Sequence, residues 1–165
     1  NRHAAHAAEW TTKNTRPENL TWLAGLPLVE LREGARLVHA TPSAPEEWNY
    51  CMMIEDALLE MDAFEEPLCL IGHSHYPGAF EKDGEDIRYT RAPQLRLRPG
   101  RQYLVNVGSV GQPRDGDPRA AYALFETTTG LIEHMRVTYD VEAAQAKILA
   151  AGLPPFLASR LAAGD

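Results

Sequence analysis

Cysteine is scarce: Cys51 and Cys69 are the only two among 165 residues, and both sit in apolar runs. A disulfide framework of the extracellular kind is therefore excluded, and reduced core thiols in a cytoplasmic protein are expected. Long apolar stretches are missing as well. None approaches the roughly 18 residues of a membrane span, and no segment reads as a secretory signal, so no membrane partner is expected. There is no basic run either, and 16 Lys plus Arg against 23 Asp plus Glu leave a net charge of −7. Coating duplex nucleic acid requires a positive surface that displaces counterions from phosphate, which removes that class of function. Gly-Lys-Ser and Gly-Lys-Thr do not occur, which removes the P-loop. No repeat or low-complexity linker divides the chain. At about 150 residues per domain it reads as a single unit, long enough to bury a core without disulfide or structural metal.

The pattern of what is present predicts a sheet-rich α/β or α+β domain with helices at both ends. His3 to Leu23 reads as helical with a break at Arg16-Pro17. Two strands follow, Leu26 to Leu31 and Ala35 to Ala40, around a turn at Arg32-Glu33-Gly34. Beyond a Pro-rich loop, Trp48, Cys51, Met52, Ile54, Leu58, Leu59 and Met61 recur at helical spacing, and this stripe is read as core packing. Pro67 to Ile71 is an unbroken apolar run, the mark of a strand covered on both faces. Gly78 to Thr90 reads as a hairpin about Lys82-Asp83-Gly84, in which Tyr76, Phe80 and Tyr89 are assigned to packing rather than base stacking. Arg101 to Val107 is a strand, and Ala120 to Glu126 with Leu131 to Tyr139 is a further hairpin. Helices from about Val141 to Ala151 and Pro155 to Ala163 stop at Gly152 and Gly164.

The chemistry gathers at three histidines. His39 ends one strand, and His73 and His75 follow another in Gly72-His73-Ser74-His75. Carboxyl ends of strands are where open α/β sheets bind ligands. Residues two apart on extended backbone face one side, which sets His73 and His75 toward a common point, with Ser74 turned away and Gly72 giving the backbone room to turn. Neutral imidazole is the commonest metal ligand and suits Zn, Mn, Fe or Ni. His3, His6 and His134 are read as surface or hydrogen-bonded residues. Asn106-Val107-Gly108-Ser109-Val110-Gly111 follows a strand with a turn whose N–H groups can hold an anion. Gly108 directly precedes Ser109, which is not the spacing of a nucleophile elbow, so a serine hydrolase is set aside. The loop Gln112 to Arg119 then carries Arg114 and Arg119, suited to phosphate or equally to solvated pairing with Asp115 and Asp117.

In combination, Val38-His39-Ala40-Thr41-Pro42, Gly72-His73-Ser74-His75 and Asn106 to Asp117 resemble the second half of the calcineurin-like metallophosphoesterases, nearest their small bacterial phosphodiesterase branch. The resemblance implies a four-layer α-β-β-α sandwich with two divalent metals, Mn, Fe, Zn, Ni or Mg, at the strand ends. His39 and His73 match ligands of the second metal and His75 a ligand of the first. Gly108, Ser109 and Arg114 match the loop that lines the substrate pocket. The family's first-half motifs, Asp-x-His, Gly-Asp and Gly-Asn-His-Asp, have no counterpart here. The resemblance therefore implies that residues 1–165 are the C-terminal portion of one such domain, lacking its N-terminal strands and the catalytic histidine expected there.

The activity implied is hydrolysis of a phosphate mono- or diester, with paired metals generating hydroxide near neutral pH and stabilising in-line displacement. The partner would be a phosphate-ester small molecule, nucleotides included. The alternative is a protein-interaction scaffold of the same fold with a weakened or empty metal site. A structural zinc on the three histidines is disfavoured, since closed zinc sites have four ligands rich in Cys.

Overall fold

Three central strands run parallel and end together, and this shared end positions everything described below. In the computed structural model, which describes residues 2–165, β2 (Ala35–Val38), β3 (Leu68–Ile71) and β7 (Gln102–Asn106) pair side by side in parallel. Asn1, which opens the chain, lies outside the described residues. β1 (Val29–Arg32) flanks β2 antiparallel; β4 (Gly78–Asp83) flanks β7, and β5 (Asp86–Thr90) follows it, giving six strands in the order β1-β2-β3-β7-β4-β5. A second sheet of three antiparallel strands holds β6 (Gln94–Arg96), β9 (Leu131–Val137) and β8 (Ala120–Glu126).

Strand alternation divides the core in two. Leu68, Ala79, Tyr103 and Val105 face the small sheet and bury Ile132 with the partly buried Leu95 and Phe125 between the layers. Their sequence neighbours Cys69, Phe80 and Leu104 point the other way, against Cys51, Ala57, Met61 and Phe64 on α3 (Ile54–Glu60) and its flanks. β3 is thus covered on both faces, as its unbroken apolar run predicts. Burial pushes the Cys51 and Cys69 thiols up to about 12, with nearby Asp56 and Glu60 adding to the rise at Cys51.

The ends are helical where expected. α1 (Arg2–Asn14) and α2 (Pro17–Ala24) break at Arg16-Pro17, with Pro17 at the first helical position. α4 (Val141–Ala150) is capped by Asp140, which accepts the Ala143 N–H at 2.8 Å. α5 (Pro155–Ala163) stops at Gly164, which is left-handed (φ 66°) and so close to Asp117 that a Cβ would meet that backbone at 2.7 Å. Among the described residues no helix is long and apolar enough to cross a membrane.

The helix expected across the Trp48–Met61 stripe is shorter than its periodicity suggests, and most of that stripe is not core. Asp56 Oδ2 accepts the N–H groups of Met52 and Met53 at 2.9 and 3.0 Å, which starts the helix only at Ile54. Trp48, Met52, Met53, Ile54, Leu58 and Leu59 are exposed, while Cys51 and Met61 alone of the stripe are buried. β6 escaped the sequence reading because three residues are too few to show alternation.

The loop after β2 is anchored from α3. Glu60, 7 % exposed, accepts the Ser43 N–H at 3.0 Å and the Ser43 hydroxyl at 2.9 Å. Replacing it strands two donors beside a buried segment, Ala40 and Thr41. We expect Glu60→Ala to destabilise by about 1–3 kcal/mol, read as a lowered urea midpoint with unchanged slope.

Candidate metal centre

His39, His73 and Gly108 leave the parallel strands at the same end because β2, β3 and β7 run side by side. The ladder extends one step past the strands: Gly72 N–H donates to the His39 carbonyl and Val107 N–H to the Ile71 carbonyl, both at 2.9 Å. The backbone then departs from the expected extended form. His73 and His75 are both left-handed, with φ of 60° and 65°, so their placement comes from two unusual backbone turns and not from strand alternation. Such conformations are uncommon for side chains other than glycine and cluster at functional sites. Ser74 does turn inward and is buried. Gly72, in contrast, is not sterically required, since a Cβ there would meet only the His39 carbonyl at 3.6 Å. The demanding glycine is Gly108: its φ is 84°, and a Cβ would lie 2.6 Å from that of Ala121 and 3.3 Å from that of Pro77.

Asn106 holds these loops together, a role the sequence reading did not assign to it. Its Nδ2 donates to the Gly72 carbonyl (2.5 Å) and Ser74 Oγ (2.9 Å), its Oδ1 accepts the Gly108 N–H (2.9 Å), and it is 5 % exposed. Its backbone carbonyl accepts from His134 Nε2 at 2.8 Å, which makes His134 a structural residue, as expected.

His39 Nε2 and His73 Nδ1 lie 3.3 Å apart. Two bonds of about 2.1 Å that meet near the tetrahedral angle hold their nitrogens about 3.4 Å apart, so this pair fits two positions around one divalent cation. In His75, Nδ1–H donates to the Gln112 carbonyl at 2.6 Å, which leaves the Nε2 lone pair for a metal. Among the described residues no group of three His, Cys, Asp or Glu side chains converges as a complete metal site. The described residues thus supply part of a ligand set, the His39–His73 pair, and bring no carboxylate to it.

Two aromatics frame the histidines. Tyr50 stacks on His73 with centroids 4.4 Å apart and planes at 17°; Trp48 stands 5.3 Å from His39 and 5.9 Å from His73. Sequence periodicity places Trp48 in the core, whereas its backbone is left-handed (φ 58°) and the residue 51 % exposed. Nothing in the sequence signalled Tyr50.

The two arginines of the loop separate. Arg119 pairs with Asp117 at 2.6 Å, drawing that carboxyl down to about 2. Asp115, its side chain 2 % exposed, takes Arg91 at 2.7 Å and Arg136 closer still. Arg114 pairs with no carboxylate among the described residues; Gln112 Oε1 accepts its Nε and Nη2 at 3.2 and 3.0 Å. Ser109 shapes the turn, its hydroxyl oxygen accepting the Gln112 N–H at 3.0 Å.

Desolvation chiefly, then the neighbouring His39 for His73 and Arg114 for both rings, lower the His73 and His75 pKa values. Between the folded values and the ordinary 6.5, the unfolded chain binds more protons, so stability present above about 6.5 is lost as pH falls through the lowered folded values. Urea midpoints measured from pH 8 to pH 5 should therefore fall, and should fall less steeply in a His73→Gln/His75→Gln variant. Asn106→Ala should cost about 3 kcal/mol by unpairing several buried groups, seen in the same titration at pH 8.

No family model matches the chain. It is 36 % identical over 170 residues to the uncharacterized protein MJ0912 of Methanocaldococcus jannaschii, covering 99 % of this chain and 67 % of that protein. It superposes with TM-score 0.88 at 38 % identity on the crystal structure of a metallophosphoesterase from Sphaerobacter thermophilus, over 96 % of this chain but 66 % of that one, slightly under two thirds. The hypothetical protein PH1004 of Pyrococcus horikoshii OT3 shares the fold at TM-score 0.67 and 20 % identity, over 90 % of this chain and 55 % of its own.

Proposed function

Because the chain belongs to the calcineurin-like metallophosphoesterase superfamily, we propose that the protein carrying it hydrolyses a phosphate mono- or diester where β2, β3 and β7 end. The supporting observation is the His39–His73 pair, whose nitrogens are 3.3 Å apart. His39 and His73 would share one divalent cation, and His75 would offer Nε2 to a second. Bound metals of this kind supply charge for the phosphoryl oxygens and a nucleophile at neutral pH.

The chain's own residues do the remaining work. The Gln112 carbonyl fixes the His75 tautomer, and Tyr50 holds the His73 ring by stacking. Their lowered pKa values keep both imidazoles neutral, the form that ligates. Arg114, held by the neutral Gln112 carboxamide and paired with no carboxylate among the described residues, offers its guanidinium to a phosphoryl oxygen. Gly108 lets the turn pass close to Pro77 and Ala121 while Ser109 braces it.

The scaffold reading draws on the His39–His73 pair, which no third His, Cys, Asp or Glu joins among the described residues, and elemental analysis separates the two. For the full-length protein we expect stoichiometric bound metal and hydrolysis of bis(p-nitrophenyl) phosphate. His73→Ala should lose that metal and reduce kcat/KM more than about 100-fold, beyond the cost of removing a ligand's supporting partner. A metal-free wild-type protein without hydrolysis would favour the scaffold. Arg114→Ala should lower kcat/KM about 10–100-fold, the worth of a hydrogen bond to charge at about 1.5–3 kcal/mol.

A further inference from the structure

A cavity of about 570 Å³ opens beside the histidines, between α1, the 111–114 loop and the α4–α5 pair. Three of its walls are shared with the site already described. Tyr50 lines it and stacks on His73; Gln112 lines it and holds His75 through its carbonyl; Arg114 lines it and is held by the Gln112 carboxamide, with no carboxylate partner among the described residues. The remaining wall is largely apolar, from Leu157 and its neighbours, with Phe156 lying under the Arg160 guanidinium at 5.0 Å.

The charge of this lining is opposite to that of the chain. In a protein of net charge −7 the cavity wall contains two arginines and no Asp or Glu. Its volume falls in the range of small-molecule sites, which combine apolar walls with a few convergent polar groups. The Tyr50 ring and the apolar side chains about Leu157 suit a flat group, and the arginines suit negative charge at its edge.

We infer that this cavity receives the organic group of the phosphate ester, that this group is aromatic, and that the phosphate is presented to Arg114 at its mouth. This rests on the phosphoesterase reading and names the substrate class of that site: esters whose alcohol portion carries a flat ring. The ring lies along Tyr50 against Leu157, while the anionic group stays on the histidine side. An ester with a short aliphatic alcohol leaves the apolar wall wet and binds less well.

The test uses the full-length protein as purified and a probe that cannot be hydrolysed. Titration calorimetry with naphthalene-2-sulfonate should give a Kd at least about tenfold below that for methanesulfonate, which lacks the ring, and for 2-naphthol, which lacks the charge. Leu157→Trp fills the cavity and should remove the ring's advantage; Ala4→Phe fills it from α1 and serves if the first variant melts below the wild type. Equal affinity for the two sulfonates, or a ring advantage that survives both fillings, overturns the inference. No turnover enters this measurement, so its failure beside intact His73-dependent hydrolysis removes the cavity assignment alone. Ring-dependent binding in a protein with neither metal nor hydrolysis overturns the inference through its premise.

Discussion

One carboxamide holds the site in shape. Asn106 ends β7 and reaches sideways to the loop after β3 while also pinning the turn that follows its own strand. A buried amide of this kind is costly if any of its partners is missing, and here its three contacts hold loops from two strands in a single arrangement. The two left-handed histidines exist within that arrangement. Strain of this kind persists where surrounding contacts over-determine it, and the Asn106–Ser74 bond between His73 and His75 provides one such contact.

The parallel trio of strands explains why residues distant in sequence meet. Two of the strands end in imidazoles, one after β2 and two after β3, and the third ends in a glycine turn after β7. The second sheet contributes from behind, through Ala121 against Gly108 and His134 against the Asn106 carbonyl. The small sheet therefore does more than cover apolar area, since it limits how far the turn can shift.

Much of this was legible from residues alone. Apolar runs bounded by Gly and His marked β3 and β7, and the order of the three histidine and glycine elements marked the family. The hidden parts are those where backbone and side chain break local rules. Trp48 follows a helical period yet sits on a left-handed residue outside the helix, because Asp56 delays the helix start. The His73 and His75 pair imitates strand alternation while being held by turns. Tyr50 and Gln112 act through a ring face and a backbone carbonyl, and neither contact leaves a pattern in spacing.

The two thiols carry a consequence of their own. Cys51 and Cys69 belong to one buried cluster, and both are held protonated far above neutral pH by their surroundings. Electrophiles attack thiolates, so an alkylating reagent reacts slowly with either sulfur while the cluster stays closed. Modification then proceeds mainly through openings of that cluster, and the chain carries its own clock for excursions from the native state.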